Sequence, residues 1–579
     1  MRQVIRAETG EPGINPIRPS FSPGEVTDQR PIWTSSIEVL PLPLTQNVIA
    51  KLTTSLRFRR IDQGIALLER HEADLQQIGP ATPNPGSLLL LVAQWVDAGF
   101  RDARFLSPLM AHFSAAFRRE MAMQDYLQLR MAEGFCALAS GNSDEAIRIL
   151  DLTVQAREDL GDDEKLALAH FWKGRAHRKK GEYEKSLAHI VRARELAQTS
   201  EDGMFKAIIQ IQESWLLFQK GQSKGALHLL ASAEATLKPT DHYIALGNIE
   251  SARGRILRRS GDYPRALKYF ESAERLYEKR DMRHSNMARS LVNAAYVRRL
   301  LARQIRKQID RKAQSGKQYT SPRQRTGQGN PEPLRASYQR LCDEAINNLN
   351  RAREVYEFHG NEDGLGNVIL NLGYLHLDRG EIDRASQEAN KAFKIGSSRS
   401  DQILMARARI LGAACENAHV EEQTGEQDDV AVHARRALDY SEEALALARS
   451  MQSRRLLAGA YMARGITAAN DFYQDWEQAR ACTSEVTAMI GPGDSDLLVE
   501  TLADLKSRIM QASGINDALR AWSEGIVGEK TFQQITEEFA EVVIPKVWMR
   551  EEKKVARVAQ RLSISPKKVR RVLRNAGWR

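Results

Sequence analysis

Only four of the 579 residues are cysteine: Cys136, Cys342, Cys415 and Cys482. They lie far apart without paired spacing, which excludes a disulfide framework and a cysteine-based zinc module and favours a reducing compartment. They are expected to be buried, inert thiols. Long apolar runs are missing too. The stretch at 88–92 falls far short of the ~18 residues needed to cross a bilayer, so no membrane association is expected. No signal peptide is visible, and the expected location is the cytoplasm, at the nucleoid. A phosphate loop of the type Gly-x-x-x-x-Gly-Lys-Ser/Thr is absent, which argues against an ATP-driven machine. The glycines of Gly221-Gln222-Ser223-Lys224-Gly225 lie at a repeat turn. His170 and His177, two turns apart on one helix, have no carboxylate-histidine motif beside them and read as surface or groove packing. The acidic run 161–164 precedes a helix, where negative charge favours the exposed amides. No enzyme activity, cofactor or metal is therefore expected.

Excess charge is absent from most of the chain as well. Residues 546–579 hold twelve Lys and Arg against Glu551 and Glu552, a balance of +10 that equals the formal charge of the whole chain. The other 545 residues carry 84−12 = 72 bases and 74−2 = 72 acids. A surplus confined to one short segment suits a nucleic-acid-binding appendage, because phosphate contacts supply sequence-independent affinity. The segment also has apolar periodicity. Val555, Val558, Ala559 and Leu562 fall on one helical stripe. Ser563-Ile564-Ser565 breaks it, Ser565 and Pro566 suit the start of a second helix, and Val569, Val572 and Leu573 face inward. Gly577 closes that helix. This is the pattern of a helix-turn-helix with Lys567, Lys568, Arg570, Arg571 and Arg574 directed outward, and with Lys553, Lys554 and Arg557 available for phosphates. The alternative is a basic amphipathic hairpin that packs on a partner or on RNA.

Together with a preceding helix bearing Phe539, Val542, Val543, Ile544, Pro545 and Val547, these residues resemble the C-terminal DNA-binding domain of the Fis family over roughly 530–579. Ser563 stands where that family usually has glycine. The resemblance implies contacts to double-stranded DNA from the last helix, and a homodimer formed through residues 532–548.

The body repeats. Gly141, Gly181, Gly221 and Gly261 recur at intervals of 40 residues, each followed five residues later by Ala146, Ser186, Ala226 or Ala266 and preceded seven residues earlier by Gly134, Gly174, Ser214 or Gly254. Such positions suit a turn between two helices and their close crossing. Leu150, Ile190, Leu230 and Phe270 fill the second helix. Gly181-Glu182-Tyr183-Glu184-Lys185-Ser186-Leu187 and Gly261-Asp262-Tyr263-Pro264-Arg265-Ala266-Leu267 resemble the tetratricopeptide repeat (TPR), with a period longer than that family's ~34 residues. The expected fold is all-α: a TPR-like helical-repeat solenoid with a small C-terminal helix-turn-helix domain. The expected parts are a disordered Pro-rich arm (1–43), an N-terminal helical cap (44–122), repeats (123–300), a disordered basic insertion (302–336), further repeats (337–490), a connecting helix and hinge (491–527) and the basic tail domain (528–579). The ladder resumes after the insertion with Ala345, Gly373, Gly380 and Ala385, and ends in two degenerate pairs at 402–449 and 453–490.

Aligning the repeats places Arg175, Arg178 and Lys179, then Arg255, Arg258 and Arg259, then Arg298 and Arg299 at matching places on successive first helices, with Trp215 and Phe218 between them. In the TPR family first helices line the concave groove, so the resemblance implies a basic groove with one aromatic platform, suited to a protein, peptide or other anionic partner. The alternative is that these arginines sit at helix ends, solvated or paired with neighbouring acids. The function read from these features is a DNA-binding transcriptional regulator whose solenoid senses or recruits a ligand. A non-enzymatic scaffold, or a nucleic-acid-targeting accessory subunit of a defence or mobile-element complex, fits the same residues.

Overall fold

In a computed structural model the described residues are 45–156, 162–199, 203–318, 332–423, 427–451, 453–491, 493–512, 531–575 and 577–578. The chain divides into Met1–Leu42 and Pro43–Arg579. The arm at 1–43 and the hinge part of 491–527, from 513 on, lie outside the described residues. What is described is an all-helical TPR-like solenoid followed by three further helices. At the N-terminal end come α1 (Gln46–Arg57), α2 (Ile61–Arg70), α3 (Glu72–Gln76), α4 (Pro85–Ala98), α5 (Leu106–Ala111) and α6 (Ala115–Glu120).

Paired helices follow: α7 (Met123–Ala139) with α8 (Ser143–Gln155), α9 (Asp163–Lys179) with α10 (Tyr183–Thr199), α11 (Gly203–Gln219) with α12 (Ser223–Leu237), and α13 (Tyr243–Arg259) with α14 (Tyr263–Arg280). The ladder continues through α15 (Ser285–Gln318) with α16 (Glu332–Phe358), α17 (Glu362–Asp378) with α18 (Ile382–Ser398), α19 (Gln402–Glu421) with α20 (Gln427–Arg449), and α21 (Arg454–Ala468) with α22 (Trp476–Met489), then ends in α23 (Leu497–Ala512). The long period resides in the helices: α9, α11, α13 and α17 are each 17 residues.

One turn recurs between first and second helices. Gly141, Gly181, Gly221, Gly261 and Gly380 have φ between +79° and +89°. The next residue's N–H reaches back to a carbonyl in the last turn, as in Glu182 N to His177 O (3.0 Å) and Asp262 N to Leu257 O (3.0 Å). This is the αL closure that satisfies orphan carbonyls, and glycine adopts it without a Cβ penalty. Side chains cap the helices that follow: Asn142, Asp162, Asp262, Asn361, Asp401 and Ser453 each accept from a first-turn amide.

The crossings are set by the other small residues. A Cβ on Gly134 would lie 2.8 Å from Leu150, one on Gly174 2.8 Å from Ile190, and one on Gly254 2.8 Å from the Phe270 ring. Each missing side chain on a first helix is thus the space filled by the large residue of its partner.

The structure differs from expectation between 302 and 336. Helix α15 runs on to Gln318 and α16 begins at Glu332, so only 319–331 lie outside the described residues. Ala302 is buried, Arg306 pairs with Asp310 one turn on (3.4 Å), and Lys307 meets Glu500 of α23 (3.2 Å), so the polar composition here belongs partly to a solvated helix. Distant turns of the solenoid also touch. Ser495 N donates to Arg259 O (2.8 Å), Arg104 reaches Phe358 O (3.3 Å), and a Cβ on Gly181 would be 3.3 Å from Ile403.

The tail comprises α24 (Phe532–Arg550), α25 (Val555–Arg561) and α26 (Pro566–Asn575). Its core is Ala540, Ile544 and Trp548 against Val558, Ala559, Val569, Val572 and Leu573. Ser565 caps α26 through the amide of Lys568 (3.2 Å). Ser563 takes φ +53°, and Ile564 N reaches Ala559 O (3.0 Å), the same closure as in the solenoid turns. The left-handed backbone explains why glycine suits this position. Of the residues read as the pairing helix, Phe539 is 39% exposed, Val542, Val543 and Val547 are half-buried, and Ile544 and Pro545 are buried. The side chain of Ile535 lies outside the described residues.

Replacing Gly254 by Ala is expected to cost about 1–3 kcal/mol by overpacking against Phe270. Gly203→Ala, where nothing lies within 4 Å of the added atom, is expected to be neutral or slightly stabilising. Urea unfolding of the two variants checks this, and equal midpoints would refute the role given to the crossing.

Candidate functional site

The ten groove residues separate by their partners. Arg175 is held by Asp97 (2.6 Å), Arg298 by Glu271 and Glu344 (both 2.9 Å), and Arg299, 5% exposed, by Asp378 (2.5 Å). These three staple neighbouring helices, so their charge is neutralised inside the wall. Phe218 is not a platform either. It is 3% exposed within a core formed with Ile211, Ala226 and Leu230, and the Arg259 guanidinium lies 3.7 Å from its ring centre. Trp215 is half-buried, with Arg178 5.1 Å from its ring centre.

The remaining cations differ. Among the described residues Arg178 and Arg255 have no carboxylate within ion-pair distance, and their Nε atoms are buried without a hydrogen-bond acceptor. Lys179 donates to the Leu138 carbonyl (2.7 Å), Arg258 to the Asn293 amide oxygen (2.9 Å), and Arg259 to the Phe218 carbonyl (2.8 Å) with Asp494 at 4.0 Å. Two residues that sequence reasoning missed join them. Arg289 is held by Asn286 (2.7 Å) and Asn248 (3.4 Å), and Arg407 by Asn367. A signal was present: Asn248, Arg289, Asn367 and Arg407 each stand six residues before the small crossing residue of their helix, Gly254, Ala295, Gly373 or Ala413. That place lies seven residues before Arg255, Tyr296 and Tyr374, on the same helical stripe.

These side chains come from opposite walls. Desolvation is the largest cause lowering the pKa of Arg178 and of Arg255, each to about 9, and the next is the charge of Arg289, on α15. Burial, then Arg175 and Arg178, lower Lys179 to about 8, with Asp363 of α17 opposing. Burial also lowers Arg258, against the opposing effects of Tyr296 and Asp496, with Arg407 of α19 and Arg455 of α21 adding smaller effects in the same sense as burial. Lys179 nevertheless has accessible surface. The solenoid curls, since the turn after α9 meets Ile403 of α19 and Ser495 meets Arg259 at the end of α13, and the inner side of α9 and α13 is cationic.

His170 and His177 are buried between α9 and α10, where His170 Nδ1 lies 2.8 Å from His189 Nδ1 and His177 meets Glu182 (2.6 Å). They belong to the helix-pair interface, not to the surface or the groove. Burial presses His189 down to about 3. Of the cysteines, Cys136 is half-buried and the others are buried, with Cys415 pushed up to about 12 by desolvation. Among the described residues no group of three or more metal-ligating side chains occurs and no helix is long and apolar enough to cross a membrane.

The tail bases divide in the same way. Lys554 and Arg557 pair with Glu552 (2.7 and 3.2 Å), and Arg571 pairs with Glu537. Lys553 lies 5.9 Å from the Trp548 ring centre. Lys567, Arg570 and Arg574 are exposed on α26 and Lys568 is half-buried, and among the described residues none of the four has an acidic partner.

No protein-family model matches this sequence, and no curated protein does. Among solved structures the chain is similar to a Rap protein complexed with Competence and Sporulation Factor, at 15% identity over 70% of this chain and 100% of that one, with a TM-score of 0.48. It is similar also to the apo form of the quorum sensor NprR from B. thuringiensis, at 14% identity over 68% of this chain and 98% of that one, TM-score 0.43. A monomeric IFIT1 mutant with Gppp-AAAA is 10% identical over 91% of this chain and 99% of that one, TM-score 0.41.

The titration of Lys179 has a definite sign. Its pKa is lower in the folded chain than the ordinary 10.5, so the unfolded chain binds this proton more tightly. Stability is then lowest below about pH 8 and rises as pH climbs towards about 10.5. Lys179→Met should melt at a higher temperature than the unmutated protein at about pH 7, with the gap closing by about pH 10. A gap that does not change with pH would refute the electrostatic cause.

Proposed function

We propose that the protein is a DNA-binding transcriptional regulator: α25 and α26 act as a helix-turn-helix, and the cationic interior of the solenoid takes an anionic ligand or the acidic part of a protein or peptide partner. The observation that carries the reading is the division of bases by partner. Structural arginines are paired with acids, while among the described residues Lys567, Lys568, Arg570 and Arg574 on α26 and Arg178 and Arg255 in the interior are not. Cations left without acidic partners retain their attraction for an incoming anion. The short α26, with Val569, Val572 and Leu573 buried beneath it, presents its bases as a rigid row of the kind that enters a major groove. No step in this reading makes or breaks a covalent bond, and the coupling between ligand and DNA is an equilibrium shift.

Gel retardation of promoter DNA by the full chain tests it. Lys567→Ala or Arg570→Ala should cost about 1–3 kcal/mol if a base contact is lost, and should relax sequence preference. Arg571→Ala should cost less, because Glu537 already engages that guanidinium. Retardation unchanged in a Lys567/Arg570/Arg574 triple alanine variant would refute DNA binding by α26. The exposed face of α24 around Phe539 supports pairing with a second copy through residues 532–548. Phe539→Asp should then convert a dimer to a monomer in sedimentation equilibrium, and a monomeric unmutated protein would refute the pairing.

A further inference from the structure

The two sides of α13 have different surroundings. Arg255 and Arg258 belong to the inner side. Leu246 stands nine residues before Arg255, about two and a half helical turns, and Arg253 stands two before it, so both lie on the opposite, outer side. There Arg253 bridges Glu234 of α12 (2.5 Å) and Glu250 of α13 (3.0 Å). Beside this bridge a cavity of about 410 Å³ opens between the second helices α12 and α14. Leu246 and Ile249 of α13 and Leu276 of α14 supply its apolar lining, and Ser272 of α14 also faces it. Seven residues before Glu234, on the same stripe of α12, Leu227 is 39% exposed and continues the apolar surface.

The rim is cationic because α14 divides its charges. Glu271 holds Arg298 of α15 (2.9 Å), and Glu274 and Glu278 hold Arg351 of α16 (2.5 and 3.2 Å), so these acids are engaged by the next repeat. Lys268, Arg275 and Lys279 fall with Ser272 on another stripe of the helix. All three are exposed, and among the described residues none has an acidic partner. Lys279 lies 5.3 Å from the Tyr243 ring centre. Lys238, at the end of α12, lines the cavity too and is likewise exposed without an acid. The two carboxylates at the cavity, Glu234 and Glu250, are both taken by Arg253. An apolar hollow is thus bordered by acids already neutralised and by bases left over.

An occupant that complements this surface brings apolar side chains and carboxylates together. Lys268 and Lys279 are eleven residues apart, about 16 Å along the helix. That row exceeds one small anion and matches about three turns of a helix, whose residues at i, i+4 and i+7 share one apolar face. Buried apolar side chains would supply the affinity, and the exposed ion pairs the orientation and the rate of encounter.

We propose that the outer groove between α12 and α14 docks an acidic amphipathic helix of a partner protein, its apolar face on Leu246, Ile249 and Leu276 and its carboxylates on Lys238, Arg275 and Lys279. This surface is separate from the solenoid interior, and the inference rests neither on a ligand there nor on DNA binding by the tail.

The test is selection of displayed random peptides of about 16 residues, some four helical turns, on the full chain, with depletion on an Arg275→Glu/Lys279→Glu variant. Depletion removes peptides that bind the interior or the tail, since the variant keeps both. Survivors should carry leucine, isoleucine or phenylalanine at helical spacing with Asp or Glu between them. A synthesised survivor should gain helical circular dichroism on binding. In fluorescence anisotropy it should bind the double variant at least about tenfold more weakly at low salt, with the gap narrowing as salt is raised. Ser272→Trp, which fills the cavity without changing charge, should weaken the same peptide about tenfold or more. Lys394→Glu, at an exposed cation of α18, should leave its affinity unchanged. Melting temperatures check the folding of each variant, and either the double variant or Ser272→Trp decides the matter if the other fails to fold. The proposal is overturned by the absence of survivors, by survivors without acids or without apolar residues at helical spacing, or by a survivor that binds Ser272→Trp as tightly as the unmutated chain. If the unmutated chain sediments as a dimer that the double variant converts to a monomer, a second copy fills the groove and the partner assignment falls. Octanoate binding that Ser272→Trp abolishes, with no surviving peptide, marks a site for a small amphiphile and overturns it as well.

Discussion

The close crossing of paired helices is the constraint from which the remaining geometry descends. Gly134, Gly174 and Gly254 leave no side chain where Leu150, Ile190 and Phe270 enter, so each of these first helices lies close against its second. Repeating that pair at a spacing of 40 residues repeats its small rotation, and nearest-neighbour stacking turns a local rotation into long-range curvature. The curvature brings Ser495 to the carbonyl of Arg259 and Ile403 under Gly181. It also sets the charge of Arg289 against that of Arg178, although α11 and α13 lie between their helices along the chain. A vacancy the size of one side chain, repeated, thus determines which charges share the interior.

That convergence explains why the solenoid's arginines fall into two kinds. Arg175, Arg298 and Arg299 lie where an acid of another helix is within reach, and their ion pairs join Asp97, Glu271, Glu344 and Asp378 to the wall. Arg178 on α9 and Arg255 and Arg258 on α13 have no carboxylate within ion-pair distance among the described residues; Arg258 donates instead to the Asn293 amide oxygen, and Arg178 lies over the Trp215 ring. Burial lowers the pKa of all three; like charge adds to this at Arg178 and Arg255, whereas at Arg258 Tyr296 and Asp496 oppose it.

Much of the fold was legible because its determinants are local. The left-handed turns need glycine, the crossings need small residues, and both recur at a spacing that can be counted in the sequence. The tail core of Val558, Ala559, Val569, Val572 and Leu573 was legible by helical periodicity in the same way. Partners were not. Whether Arg299 is a ligand contact or a staple depends on Asp378, 79 residues away, and nothing in the sequence near Arg299 announces that pairing. Arg289 and Arg407 escaped notice because the groove was read at the C-terminal ends of the first helices only, whereas the inner stripe extends a further two turns towards their N-termini. The helix through 302–318 was hidden by polar composition, which does not distinguish an unstructured segment from a solvated helix anchored by Ala302 and Lys307.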